Sequence, residues 1–100
     1  MLPPQRGIQG LYIDNIVIPS GVTLTITGIV TAATCNTITI QNGGKLIING
    51  GTIDGAYIIA QSGSGFAIRN NGKVLLSGSN QFDVQLGAVF NLDSGEVRLK

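Results

Sequence analysis

The chain repeats one pattern of short apolar strands separated by corners that contain glycine or asparagine. In each copy a strand is followed by two residues and a Gly or Asn, after which a second strand ends at a short polar residue. The pattern occurs four times without gaps, at residues 16–28, 38–50, 66–78 and 82–94. Repeats this short indicate copies that stack on one another, because one copy cannot bury its own apolar face.

Aligning the four copies produces columns of one residue type. Three columns are apolar throughout: Ile18, Ile40, Ile68 and Val84; Leu24, Leu46, Val74 and Phe90; and Ile26, Ile48, Leu76 and Leu92. A fourth column contains residues that tolerate a left-handed backbone: Gly21, Gly43, Asn71 and Gly87. Such columns predict that the aliphatic side chains of successive copies stack on one another, and that the corners of successive copies also lie one above the other.

The fold class follows from these columns together with the composition. The 100 residues are 43% hydrophobic and include 15 glycines, and strands with an apolar period of two alternate with turns. We expect an all-β fold, a single-stranded parallel β-helix (β-solenoid) of about four coils. The alternative is an antiparallel β-sandwich, which also uses short strands and glycine-rich turns, but which has no reason to keep residue types in register.

Spacing between the copies is uneven, at 22, 28 and 16 residues along the first column. A solenoid absorbs such differences at its corners. The longest interval predicts an inserted strand around residues 57–60 and then a Ser/Gly loop. Residues 1–11 are expected to be an N-terminal cap or arm, and residues 12–100 the solenoid domain.

Several classes of function are excluded by what the chain lacks. It contains no histidine and one cysteine, so a Ser/His/Asp triad, a structural zinc site and an internal disulfide are not available. A net charge of +1 and 5% aromatic residues do not favour nucleic-acid binding. No cofactor, metal site or membrane insertion is predicted, and Cys35 is expected to be a small buried hydrophobe.

Residues 38–53 and 18–26 together resemble the right-handed parallel β-helix (pectin-lyase-like) modules of bacterial secreted and cell-surface proteins. The resemblance covers residues 12–99 and lies in the corner glycines and stacked aliphatics, which specify a fold and not a chemistry. That superfamily contains pectate lyases, polygalacturonases, phage tailspikes and non-catalytic stalk or adhesin modules. The resemblance implies an extracellular or cell-surface location, although no signal peptide is recognised in the sequence.

The expected function is a non-catalytic structural or adhesive module, and the alternative is a carbohydrate-binding or carbohydrate-cleaving β-helix. Polysaccharide hydrolysis needs neighbouring carboxylates, and the alignment brings Asp54 within one position of Asp83. It also places Lys45 and Lys73 at equivalent positions, which suggests a site for a polyanion. These four residues are the candidate ligand-binding residues, and no catalytic residue is assigned.

Two further surfaces are expected to meet partners. Residues 15–44 carry no charge, and all eight threonines lie between Thr23 and Thr52. This segment suggests a face that packs on another protein domain or, less favoured, an ice-binding surface. The C-terminal end of a solenoid exposes strand edges, so a protein partner, self-association or a continuing chain is expected there.

Overall fold

The structure, a computed structural model, describes residues 13–33, 35–78 and 81–99. The predicted N-terminal cap at residues 1–11 lies outside these ranges. The described residues form twelve strands: β1 (Ile13–Ile18), β2 (Thr23–Ile26), β3 (Ile29–Thr31), β4 (Cys35–Ile40), β5 (Lys45–Asn49), β6 (Thr52–Asp54), β7 (Tyr57–Ala60), β8 (Gly65–Arg69), β9 (Lys73–Leu76), β10 (Phe82–Val84), β11 (Val89–Leu92) and β12 (Glu96–Leu99). Within the same ranges there is no helix with the length and hydropathy to cross a membrane.

The strands form three four-stranded sheets, and every strand pairing in them is parallel. Sheet A has the order β1-β4-β7-β10, sheet B β2-β5-β8-β11 and sheet C β3-β6-β9-β12. Each neighbour in a sheet is therefore three strands later in the chain, so three consecutive strands make one coil. The predicted parallel β-solenoid of about four coils is confirmed, and the antiparallel sandwich is wrong because the pairings are parallel.

The core is a set of side-chain columns that run along the solenoid axis between the three sheets. Alternate residues of each strand point inward, as the period of two requires. The columns are Ile16, Ile38, Ile58 and Phe82; Ile18, Ile40, Ala60 and Val84; Leu24, Leu46, Phe66 and Phe90; Ile26, Ile48, Ile68 and Leu92; and Val30, Ile53, Val74 and Val97. Members from the second and third coils are buried, whereas most members from the first and fourth coils are half-buried. Every column member is buried in the two coils that have a described coil on both sides, whereas in the first coil only Ile18 and Ile26 are buried.

The corner between sheets A and B is identical in length in all four coils. It is a β-turn whose third residue is a glycine with positive φ, and whose fourth residue donates to the carbonyl of the first. The four glycines are Gly21, Gly43, Gly63 and Gly87. Each of the first three donates its N–H to the carbonyl of the next glycine in this series, over 3.0 to 3.1 Å. The corner glycines are therefore tied together along the axis.

The structure corrects the register of the third copy. β8 pairs with β5 and not with β4, so Phe66 stacks on Leu46 and Val74 stacks on Ile53. The segment expected as an inserted strand is β7, the first strand of the third coil, which pairs with β4. With Ala60 in place of Ile68, the spacing along the first column becomes 22, 20 and 24 residues. The unevenness arose largely from this shift by one strand.

The same correction applies to the corner residues. Gly63 takes the place in the corner column that the alignment gave to Asn71. Asn70 and Asn71 both have positive φ, but they lie at the corner between sheets B and C. The expectation that these residue types occupy left-handed corners is confirmed, and the corner assigned to Asn71 is wrong.

The outer layer of the fourth coil is not covered by any described residue. Three rings meet there: Phe66 of the third coil lies 5.1 Å from Phe90 and 5.9 Å from Phe82, measured between ring centroids. Phe82 and Phe90 are themselves 5.5 Å apart, in an edge-to-face arrangement. In the same coil, Leu99 of β12 is 56% exposed, and Leu86, in the corner between β10 and β11, is 96% exposed. This end is an apolar surface bordered by three strand edges.

Candidate functional site

A shallow groove of about 410 Å³ runs along the outer face of sheet B. Its floor is formed by the two smallest outward residues of the sheet, Gly65 and Ala67 of β8. The walls are the taller outward residues of the flanking strands: Lys45 and Ile47 on β5, and Val89 and Asn91 on β11. The groove exists because a strand with small outward side chains lies between two strands with larger ones.

Two cationic side chains border this groove. The Lys45 side chain leans over Gly65, since a β-carbon built on that glycine would lie 3.3 Å from Lys45 Cγ. Arg69 is at the far end of β8, four residues beyond the position paired with Lys45. At about 3.3 Å per residue, the two backbone positions are about 13 Å apart along the strand direction. An extended ligand that lies along β8 would contact both cations.

The groove has no negative charge to offset these cations. Its lining residues include Lys45 and Arg69 and no carboxylate. In the described part of the chain, the ion pair that forms joins Arg98 to Glu96 and involves neither of them. Asn49, next to the groove, accepts a hydrogen bond from the Asn70 side-chain amide. The arrangement suits binding of an anionic chain through charge and through contact with the apolar wall residues Ile47 and Val89, and its lining contains no carboxylate.

Lys45 and Lys73 do not lie at equivalent positions. Lys45 is in sheet B, paired with Thr23 and Gly65, whereas Lys73 is in sheet C, paired with Thr52 and Glu96. The prediction that Lys45 and Lys73 occupy equivalent positions is therefore wrong. The third copy is shifted by one strand relative to the alignment, which puts Lys73 in the next sheet. Arg69 is the cation that the structure places near Lys45.

Asp54 and Asp83 are not brought together either. Asp54 ends β6 in sheet C and pairs with Thr31 and Leu75. Asp83 is the middle residue of β10 in sheet A, where it pairs with Ile59. The two carboxylates belong to different faces of the solenoid, so they do not form the neighbouring pair that the alignment suggested.

Cys35 is fully buried, its thiol donates to the Thr37 carbonyl over 3.1 Å, and burial raises the pKa of the thiol. The expectation of a small buried residue is confirmed. In the described part of the chain, no three His, Cys, Asp or Glu side chains are grouped as metal ligands would be.

The uncharged segment 15–44 forms most of the first coil and the first strand of the second. Its threonines are divided between faces: Thr23 and Thr25 lie on sheet B, while Thr37 and Thr39 lie on sheet A. On sheet A, the Thr39 hydroxyl donates to Asn15 Oδ1 over 3.2 Å. The structure thus brings no continuous threonine ladder onto one face of these described strands.

Sequence reasoning missed Arg69 and the two small groove residues. Gly65 and Ala67 alternate with buried Phe66 and Ile68, which is a detectable sign of a strand with a flat outer face. Recognising it requires the correct partner strands, since the groove depends on what lies on either side of β8. No known protein family, curated protein or solved structure matches this chain.

Proposed function

We propose that this chain is a non-catalytic structural or adhesive β-helix module of an exported or cell-surface protein, part of a larger assembly. The observation that carries the proposal is that the regular stack of coils does not bring the two candidate aspartates together. The described residues form a stack of parallel coils from three sheets, yet Asp54 and Asp83 lie on different faces. The sequence resemblance of residues 18–26 and 38–53 to β-helix modules of bacterial secreted and cell-surface proteins supports the proposed location, and a protein is proposed to cover the C-terminal end.

The non-catalytic role is tested with polysaccharides as substrates. We expect that the wild-type protein releases no new reducing ends from neutral or uronic-acid polysaccharides by hydrolysis, because glycoside hydrolysis needs two neighbouring carboxylates and Asp54 and Asp83 do not form such a pair. A reducing-sugar assay measures this. Cleavage by the wild type that disappears in Asp83→Ala, while Asp93→Ala still cleaves, would contradict the proposal.

A second candidate function is carbohydrate binding, and the groove on sheet B favours it. Lys45 and Arg69 are placed to meet carboxylate or sulfate groups of an acidic polysaccharide, while Val89 and Ile47 present apolar surface to its sugar rings. Exposed aromatic side chains, on which nucleic-acid bases would stack, are not part of the groove lining.

Polysaccharide binding in the groove is tested by removing cations from sheet B and, as a control, from sheet C. In affinity electrophoresis with an acidic polysaccharide, Lys45→Gln and Arg69→Gln should each weaken binding by about tenfold, because each removes one charge-assisted contact. Lys73→Gln is the matched control, since it removes the same charge from sheet C, and binding should be retained. Equal losses in all three variants would indicate a general effect of net charge and would contradict a site in the groove.

A further inference from the structure

The outer edge of β12 has free backbone groups at known positions. The Glu96 N–H donates to the Gly72 carbonyl over 3.1 Å, so the backbone groups of Glu96 point toward β9. Because successive residues of a strand point their backbone groups to opposite sides, those of Val97 and Leu99 point away from β9. β12 ends the strand order of sheet C, and no described strand pairs with this edge.

In β12, two side chains of opposite charge flank Val97, one on each side along the strand. Val97 faces inward and packs against the core, while Glu96 and Arg98 lie on the outer face of the sheet. These two charges are in contact, with 3.5 Å between Arg98 Nε and Glu96 Oε2. Both remain about half exposed, so each can accept a second partner.

We propose that β12 pairs antiparallel with β12 of a second copy of this chain, with Val97 on the two-fold axis. In that register Glu96 of one copy is opposite Arg98 of the other, and the reverse pair forms at the same time. The edge is therefore complementary in charge to itself, which is what a two-fold interface requires. Lys73, the β9 neighbour of Glu96, extends the row of alternating charges.

The hydrogen-bond pattern favours the same register. Val97 would face Val97 of the second copy, and the two residues would exchange both of their free backbone bonds. Glu96 and Arg98 of the second copy would then form a non-hydrogen-bonded pair, in which α-carbons are about 4.5 Å apart and side chains are closest. The charged residues thus occupy the positions where cross-strand attraction is strongest.

The same two-fold axis accounts for the uncovered end of the solenoid. An axis normal to sheet C places the fourth coil of one copy against the fourth coil of the other. The half-buried rings Phe82 and Phe90, and exposed Leu99, then lie between the two copies. The favourable free energy of burying this apolar layer adds to the favourable free energy of the strand pairing.

The other two open edges are less suited to self-pairing. β10 has Asp83 at its centre, so antiparallel pairing about that residue would place two like charges opposite each other. β11, with the sequence Val-Phe-Asn-Leu, has no charge that could fix a register. β12 is the edge with both a complementary charge pattern and an apolar inner residue.

This inference deepens the proposed structural role, because it names the partner at the C-terminal end, and it is tested by charge reversal. We expect the wild-type protein to show a concentration-dependent dimer in sedimentation velocity. Arg98→Glu alone and Glu96→Arg alone should each weaken the dimer by about tenfold or more, since both cross-strand pairs become repulsive. An equimolar mixture of these two variants should restore dimers, as should the double exchange Glu96→Arg with Arg98→Glu.

Hydrogen exchange provides a second measurement on the unaltered chain. Raising the protein concentration should slow exchange of the Val97 and Leu99 amides, while the Glu96 amide, already bonded to Gly72, should change little. A wild-type monomer at all concentrations would overturn the proposal, and so would a dimer that both single reversals leave intact. Neither result bears on the absence of cleavage, so this inference and the structural role can fail separately.

Discussion

Replacing Ile58 with alanine is expected to lower the free energy of unfolding by about 2 to 5 kcal/mol, the cost of removing a large aliphatic side chain from a closed core. Ile58 is fully buried in β7, and its column neighbours are Ile38 on one side and Phe82 on the other. Neither neighbouring coil can move in to fill the space without losing its own strand pairing. Urea denaturation followed by circular dichroism measures the change.

Ile59→Ala is the matched control for this substitution. It removes the same atoms from the next residue of the same strand, but Ile59 points outward and is only half-buried. We expect a loss below about 1 kcal/mol, as for other surface substitutions. Equal losses at the two positions would mean that β7 is not a core strand of the third coil.

Gly51→Ala is expected to destabilise the solenoid by about 1 to 3 kcal/mol, the usual cost of overpacking. A β-carbon at Gly51 would lie 2.7 Å from the carbonyl oxygens of both Gly28 and Ile26. These are backbone atoms of the preceding coil, so the steric clash can be relieved only by separating the two coils. Thermal unfolding measured by calorimetry reports the loss.

Gly28→Ala provides the comparison, because Gly28 is the residue stacked under Gly51 at the same corner. A β-carbon there meets no described atom within 4 Å, and Gly28 does not have a positive φ. Its substitution should leave the stability nearly unchanged. A loss at Gly28 as large as at Gly51 would show that the corner rejects a side chain for a reason other than the close approach of coils.

The sequence predicted the fold class well because inward alternation and glycine corners recur in every coil. It predicted the wrong partners for the third copy because all strands of a solenoid share that alternation. A strand such as β8 matches β4 as well as it matches β5 by apolar pattern alone. A shift by one strand therefore keeps the columns apolar while changing the sheet to which each residue belongs.

The corner between sheets A and B carried the signal that would have fixed the register. Three of these corners begin with Gln-x-Gly, at residues 41–43, 61–63 and 85–87, and each is followed by a strand of sheet B. Aligning on this corner places Gly63 under Gly43 and moves Lys73 away from Lys45. The groove could not be predicted without that alignment, because its walls and floor come from three adjacent strands.

The constant corner also determines how a solenoid of this kind can change in length. The hydrogen bonds that join Gly21, Gly43, Gly63 and Gly87 connect all four described coils, so one extra residue at this corner would interrupt the series. Removing or duplicating a complete coil would leave the series unbroken. At this corner, growth or shortening of the protein by whole coils preserves the architecture, whereas growth by single residues does not.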